Sequence, residues 1–210
     1  MAGKAKAAGS RGSSTFGRSS RPKRQMYRRI LVASEGEITE KQYVQRLSQV
    51  LRSKGVNVSV STVHGSSDPV SVVQKCIDER ELEKESKREP FDHCVCLVDV
   101  DTHAHLDDAI TLARAHGIQL IVTNLKFEVW LLWHVNDSLG AKTSSELDAL
   151  MKKHALFQKE KHLAQDFPFD GVDRAVTNAY SADPDLAANR RGPDPSSAMP
   201  VLIHLMRGIL

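Results

Sequence analysis

The sequence predicts an α/β fold, a mostly parallel sheet with helices on both faces, and two observations carry that prediction. Between Ile30 and Val122, short apolar runs alternate with longer segments of helical period, in the order β-α-β-α-β-α-β. One of these runs, Cys94-Val95-Cys96-Leu97-Val98, is apolar at every position, as in strands covered on both sides. Parallel strands require crossovers, and crossover helices cover the sheet. With 210 residues and 40% hydrophobic content, the chain can bury one sizeable core.

Taken in order, Ile30 to Ala33 reads as a buried strand. Thr39 to Lys54 carries Tyr43, Val44, Leu47, Val50 and Leu51 at helical spacing, with Thr39 as its cap and Gly55 as its stop. Val56 to Val63 alternates as a second strand. Asp68-Pro69 then opens a helix as cap and first turn, running through Val72, Val73, Cys76 and Ile77 into a mixed-charge stretch, Asp78 to Glu89, that reads as a solvated face closed by Pro90. After the strand Cys94 to Val98, Ala104 to His116 reads as a helix ending at Gly117, and Ile118 to Val122 as the fourth strand. Phe127, Trp130, Leu131, Trp133 and Val135 lie at the spacing of a helix packed onto the sheet, a better reading than base stacking. Beyond Val135 the pattern is helical: Ser144 to His154, Gly171 to Ala182 and Ser196 to Ile209. The domain plan is therefore a basic tail over residues 1–24 and one domain over 25–210, with an α/β part at 25–137 and a helical C-terminal part at 138–210.

Charge separates the tail from the body. The formal net charge is +3, yet Lys4, Lys6, Arg11, Arg18, Arg21, Lys23 and Arg24 all fall in the first 24 residues, which contain no acid. The remainder has 22 basic residues against 26 acidic ones. The tail is rich in Gly, Ser and Ala, a composition expected to stay disordered, and such arms bind nucleic acid through its phosphates; equally, they serve as solubilising ends. No apolar run approaches the roughly 18 residues of a membrane span, and no signal segment is evident. Cys76, Cys94 and Cys96 form an odd set without zinc-like spacing, which argues against a disulfide framework or structural zinc and points to the cytoplasm.

In an open parallel sheet, residues just past the strand ends gather along one edge, where ligands bind. Glu35 and Glu40 follow the first strand, Asp99 and Asp101 the third, and Glu128 the fourth. A single Asp-x-Asp at a strand end is ordinarily a turn or a cap. Three strand ends delivering carboxylates to one rim point instead to a divalent-metal site, because gathered carboxylates repel one another unless a cation lies between them, and oxygen ligands suit Mg²⁺ or Mn²⁺. Asp99 and Asp101, two apart in extended backbone, face one side.

The motifs Glu35-Gly36-Glu37-x-Thr39-Glu40, Asp99-Val100-Asp101 and Phe127-Glu128-Val129-Trp130-Leu131-Leu132-Trp133-His134, with Pro193-Asp194-Pro195-Ser196-Ser197 before the last helix, resemble the RloB-like proteins over residues 28–210. That resemblance implies a Toprim-like, Rossmannoid core in which the first glutamate and the Asp-x-Asp pair hold Mg²⁺, as in nucleases, topoisomerases and primases. It also implies a place in bacterial anti-phage defence of the abortive-infection kind, beside an ABC- or AAA-type ATPase. Lys126 before Phe127-Glu128, and Asp194-Pro195 in the closing segment, depart from the family's usual residues.

Phosphodiester hydrolysis needs neutralised nonbridging oxygens, an activated water and a stabilised leaving oxygen, and one or two divalent ions serve all three. Asp99 and Asp101 are the candidates for one ion; Glu35 either shares it or acts as general base; Glu40 and Glu128 suit a second ion's shell. Lys126, Lys159 and Lys161 are candidates for facing the phosphate, Lys126 being nearest the rim in sequence. His103 and His105 read as helix-opening caps, and Ser34 lacks the elbow glycine of a serine hydrolase. The expected function is a Mg²⁺-dependent nuclease acting on DNA or RNA; the alternative is a non-catalytic nucleic-acid-binding or partner-regulating module. A body of net negative charge would repel a polyanion, so a second protein or self-association as a homo-oligomer is expected to supply positive surface.

Overall fold

The structure is a computed structural model and describes residues 1, 3, 27–65, 68–86, 88–100 and 105–209. The seven tail cations, Asp101 and His103 lie outside the described residues. A five-stranded sheet has the order β2-β1-β3-β4-β7, formed by β1 (Arg28–Ser34), β2 (Val58–His64), β3 (His93–Asp99), β4 (Gln119–Asn124) and β7 (Ser196–Ser197). The first four are parallel, as the alternation with helices requires, and β7 pairs antiparallel with β4.

Side chains alternate between the two faces of the sheet and split the apolar residues into two cores. Ile30, Val32, Val95, Leu97 and Ile121 face a layer made by α1 (Thr39–Ser53), α4 (Glu128–Leu132), α5 (Ser144–Lys153), α6 (Val172–Ala182) and α7 (Met199–Arg207). Leu31, Ala33, Cys94, Cys96, Val98, Leu120 and Val122 face α2 (Pro69–Glu85) and α3 (Leu106–Ala115). Trp130 and Trp133, predicted to pack on the sheet, are fully buried in the first core. The chain moves from β1 outward to β2 through α1, then back past β1 to β3 through α2. Right-handed crossovers place those two helices on opposite faces, which is where they lie.

Several sequence expectations are corrected. Thr39 is not the cap of α1: Ile38 occupies that position without a side-chain bond, and the Thr39 hydroxyl donates instead to the Lys161 carbonyl at 2.6 Å. Helix α2 stops at Glu85 rather than near Glu89, where the Ser86 hydroxyl donates back to the Leu82 carbonyl at 2.8 Å. Glu83 is not on a solvated face; it is buried and paired with Arg29 of β1 at 2.5 Å. The last helix begins at Met199, because Ser196–Ser197 covers the open edge of β4, with Ala198 N–H donating to the Val122 carbonyl at 3.1 Å. The C-terminal part is not wholly helical either, since β5 (Phe157–Lys159) and β6 (His162–Leu163) form a hairpin. Strands of three and two residues are too short to display a period of two.

Candidate metal and phosphate cleft

The sheet order reverses at β1, so β1 and β3 flank the switch point where open α/β sheets bind ligands. Glu35 lies one residue past β1, and its N–H donates to the Leu97 carbonyl of β3 at 3.2 Å. Two residues beyond Leu97, β3 ends at Asp99. The two sequence-predicted acids therefore stand side by side because the strands carrying them are hydrogen-bonded neighbours.

The turn from β1 into α1 is tight. The Ser34 hydroxyl donates to the Gly36 carbonyl at 2.8 Å, and α1 starts four residues after Glu35, bringing Glu40 into its first turn. The Glu40 carboxylate lies against Gly36, in space that a Cβ at that position would occupy. From the other side, Asp99 accepts a hydrogen bond from the Phe127 N–H, which fixes Glu128, the opening residue of α4, beside the same cleft. Glu35, Glu40, Asp99 and Glu128 together line an open cleft of about 1280 Å³.

These carboxylates sense one another. Burial, then the charge of Asp99's neighbours Glu40, Glu128 and Glu35, raises the Asp99 carboxyl well above the carboxylate range, against the opposing hydrogen bond from Phe127. Burial first, with repulsion from Glu128 and Glu35, pushes Glu40 up to about 7, although its own backbone N–H and Lys161 favour the anion. Among the described residues, no three of His, Cys, Asp and Glu lie close enough to hold one ion. Mutual repulsion is a physical reason for such spacing, and the glutamates reach the rim on rotatable side chains.

Lys126, predicted to face a phosphate, lines the cleft but is engaged: its ammonium donates to Asp148 of α5 at 2.6 Å, with 15% of its side chain exposed. Lys159 and Lys161 also line the cleft, as does Lys152 of α5, which the sequence reading passed over. His105 takes no part in the cleft; it caps α3 and contacts Asp68 at 3.2 Å.

Behind the cleft, a buried network ties α1 to α4. His134 Nδ1 lies 3.1 Å from the Trp130 carbonyl, and its Nε2 lies 3.1 Å from the Tyr43 hydroxyl. A carbonyl only accepts, so Nδ1 carries the proton and Nε2 accepts from Tyr43. Glu40 lies three residues before Tyr43 and Glu128 six before His134, so this bond holds together the two helices that bear the rim glutamates.

The Gly36 cradle yields a separable test. Gly36→Ala should displace the Glu40 carboxylate, a flexible group, while changing the melting temperature of the protein little. Divalent-ion affinity should fall by roughly 10-fold, the scale seen when a ligand's orientation is lost. Unaltered affinity in that variant would remove Glu40 from the ligand set.

Among the described residues, no helix is long and apolar enough to cross a membrane. No curated protein and no solved structure matches the chain. A family model described as RloB-like protein matches residues 30–206, a span that contains every strand end described above. The chain belongs to the RloB-like protein family.

Proposed function

We propose that the chain is a Mg²⁺- or Mn²⁺-dependent nuclease that hydrolyses phosphodiester bonds, with a Toprim-type catalytic rim. The observation that supports this reading is the meeting of Glu35, Glu40, Asp99 and Glu128, from β1, α1, β3 and α4, in one cleft at the sheet's switch point. An all-carboxylate donor set suits a hard divalent cation and disfavours zinc or copper. Asp99 and, two residues on in the sequence, Asp101 would hold the ion, with Glu40 and Glu128 around it. When bound, the metal would neutralise nonbridging phosphate oxygens and acidify an attacking water. The chain's own residues do the rest: the Phe127 N–H orients Asp99, Glu35 accepts the water's proton, and lysines in the same lining supply positive charge. The open spacing of the described acids favours a second reading, a non-catalytic nucleic-acid-binding or regulatory module. Incubating the purified chain with single- and double-stranded DNA and RNA, with Mg²⁺, Mn²⁺ or EDTA, separates the two. Metal-dependent fragments support the nuclease, whereas metal-independent binding without fragments supports the module.

As a member of the RloB-like family, the chain is placed by this proposal in bacterial anti-phage defence, as the effector of an ABC- or AAA-type ATPase. Its electrostatics favour assistance: seven carboxylates and four lysines line the cleft, which therefore repels a polyanion until cations enter. Cleavage should accelerate at least about 10-fold when a partner ATPase or self-association adds positive surface, in line with the effect of steering on encounter rates. Equal rates for the isolated chain and the assembly, at matched Mg²⁺ and salt, would leave the gathering of substrate to this chain alone. Deleting residues 1–24 tests the tail: seven phosphate-binding cations should contribute up to roughly six units of the log-affinity versus log-salt slope, so an unchanged slope excludes the arm from binding.

A further inference from the structure

The hairpin β5–β6 was not visible in the sequence, and it lines the cleft beside the rim carboxylates, carrying Glu160 between Lys159 and Lys161. It is not a loose flap. The Lys161 carbonyl accepts from Thr39 at 2.6 Å, Leu163 N–H donates to the Gln42 side chain at 3.0 Å, and Arg46 donates to the Ala164 and Gln165 carbonyls at 2.7 and 2.6 Å. One face of α1 thus clamps the hairpin and its exit over two turns, starting from the turn that carries Glu40. Lys159 and Lys161 line the cleft from this hairpin, and Lys152 joins them from α5.

Lys161 stands where another residue would cost less. Its φ is +53°, in the left-handed region that glycine and asparagine occupy more readily than lysine. Its ammonium lies close enough to Glu40 to favour that carboxylate's charged form. Unlike Lys126, neither Lys159 nor Lys161 is engaged in an ion pair found among the described residues. Aromatic residues contribute little to the cleft: Phe127 is buried in the core, leaving the partly buried Phe157.

We propose that Lys152, Lys159 and Lys161 form a phosphate-binding wall that holds the sugar–phosphate backbone of a nucleic-acid strand against the carboxylate rim. This rests on the nuclease reading and extends it to the substrate class: a polynucleotide recognised by its phosphates, with little preference for base sequence. Stacking platforms of the kind that read unpaired bases are missing from the described lining, whereas cations lining the same cleft as the rim match a polyanion that must bridge to a metal.

The experiment compares the full chain with Lys152→Gln/Lys159→Gln/Lys161→Gln and with a control, Lys75→Gln/Lys84→Gln, which removes charge from α2 on the opposite face of the sheet. Anisotropy of a short fluorescein-labelled oligonucleotide in Ca²⁺ gives affinity against salt, and Mg²⁺ gives cleavage. The triple variant should bind roughly 10- to 100-fold more weakly at low salt and lose about two to three units of salt slope, with the control nearly unchanged. Lys161→Gly, which relieves the backbone, should melt at the same or a higher temperature yet bind more weakly. Equal slopes in wild type and triple variant, or an equal loss in the control, would overturn the wall while metal-dependent cleavage by the wild type left the nuclease reading standing. Absence of both binding and cleavage in the wild type would overturn both.

Discussion

Asp99→Asn should abolish metal-dependent cleavage, lowering the rate by at least about 10²–10³-fold, the scale on which a single preorganised electrostatic contact acts. The same change should stabilise the protein in EDTA. Asp99 sits recessed among Glu40, Glu128 and Glu35, and burial and repulsion raise its carboxyl well above the ordinary range. A group raised on folding holds a proton that the unfolded chain releases, so stability falls as pH rises from the unfolded value toward the folded one. Asparagine keeps the oxygen that accepts from Phe127 and removes the charge. Thermal melts in EDTA should therefore show Asp99→Asn above wild type at neutral pH, the difference shrinking as pH falls into the ordinary carboxylate range. A variant that cleaves at the wild-type rate, or melts lower at neutral pH, would place Asp99 in a structural role.

Protonation of His134 should contribute a large loss of stability in acid. Burial pushes His134 down to about 4, because its imidazole is enclosed by Tyr43, Trp130 and Phe167. The unfolded chain protonates this residue near 6.5, so between the two values it binds more protons than the folded chain and stability declines as pH falls. The loss begins near pH 6.5, is complete near pH 4 and amounts to about 3 kcal/mol. Glu40, pushed up to about 7, acts with the opposite sign over much of that range, up to about 3 kcal/mol. The variant His134→Phe isolates the histidine. It should cost roughly 1–3 kcal/mol at neutral pH by stranding the Tyr43 hydroxyl and the Trp130 carbonyl, and the gap to wild type should narrow steadily toward pH 4. Parallel melting curves across that range would contradict the assignment of the titration to His134.

The sheet was legible because its information is local. Apolar runs at Ile30–Ala33 and Cys94–Val98 need both faces covered, and the turn and cap residues at Gly55, Asp68-Pro69 and Gly117 mark where helices stop and start. The rim followed from topology, since parallel strands must end together, and Glu35, Glu40, Asp99 and Glu128 were identified from strand ends alone. What escaped depends on contacts far apart in the chain. Thr39 looks like a cap until Lys161, 122 residues away, takes its hydroxyl. Lys126 looks like a free cation until Asp148 approaches from α5. The strand Ser196–Ser197 exists only because β4 leaves an edge to pair, and the hairpin at Phe157–Leu163 only because α1 offers Gln42 and Arg46 to hold it. Gly36 carried a usable signal, a glycine between two glutamates, yet its purpose appears only when the Glu40 carboxylate is seen lying against it.

A calorimetric titration of Mn²⁺ into the full chain near pH 6, repeated in two buffers of different ionisation enthalpy, bears most directly on the carboxylate rim as a metal site. Glu40 retains its proton up to about 7 and Asp99 is raised as well, so ligation must expel protons. The expected result is saturable binding with release of about one proton or more, weakened in Glu40→Gln and lost in Asp99→Asn. Absence of saturable heat in wild type, or equal affinity and proton release in wild type and Asp99→Asn, would contradict it.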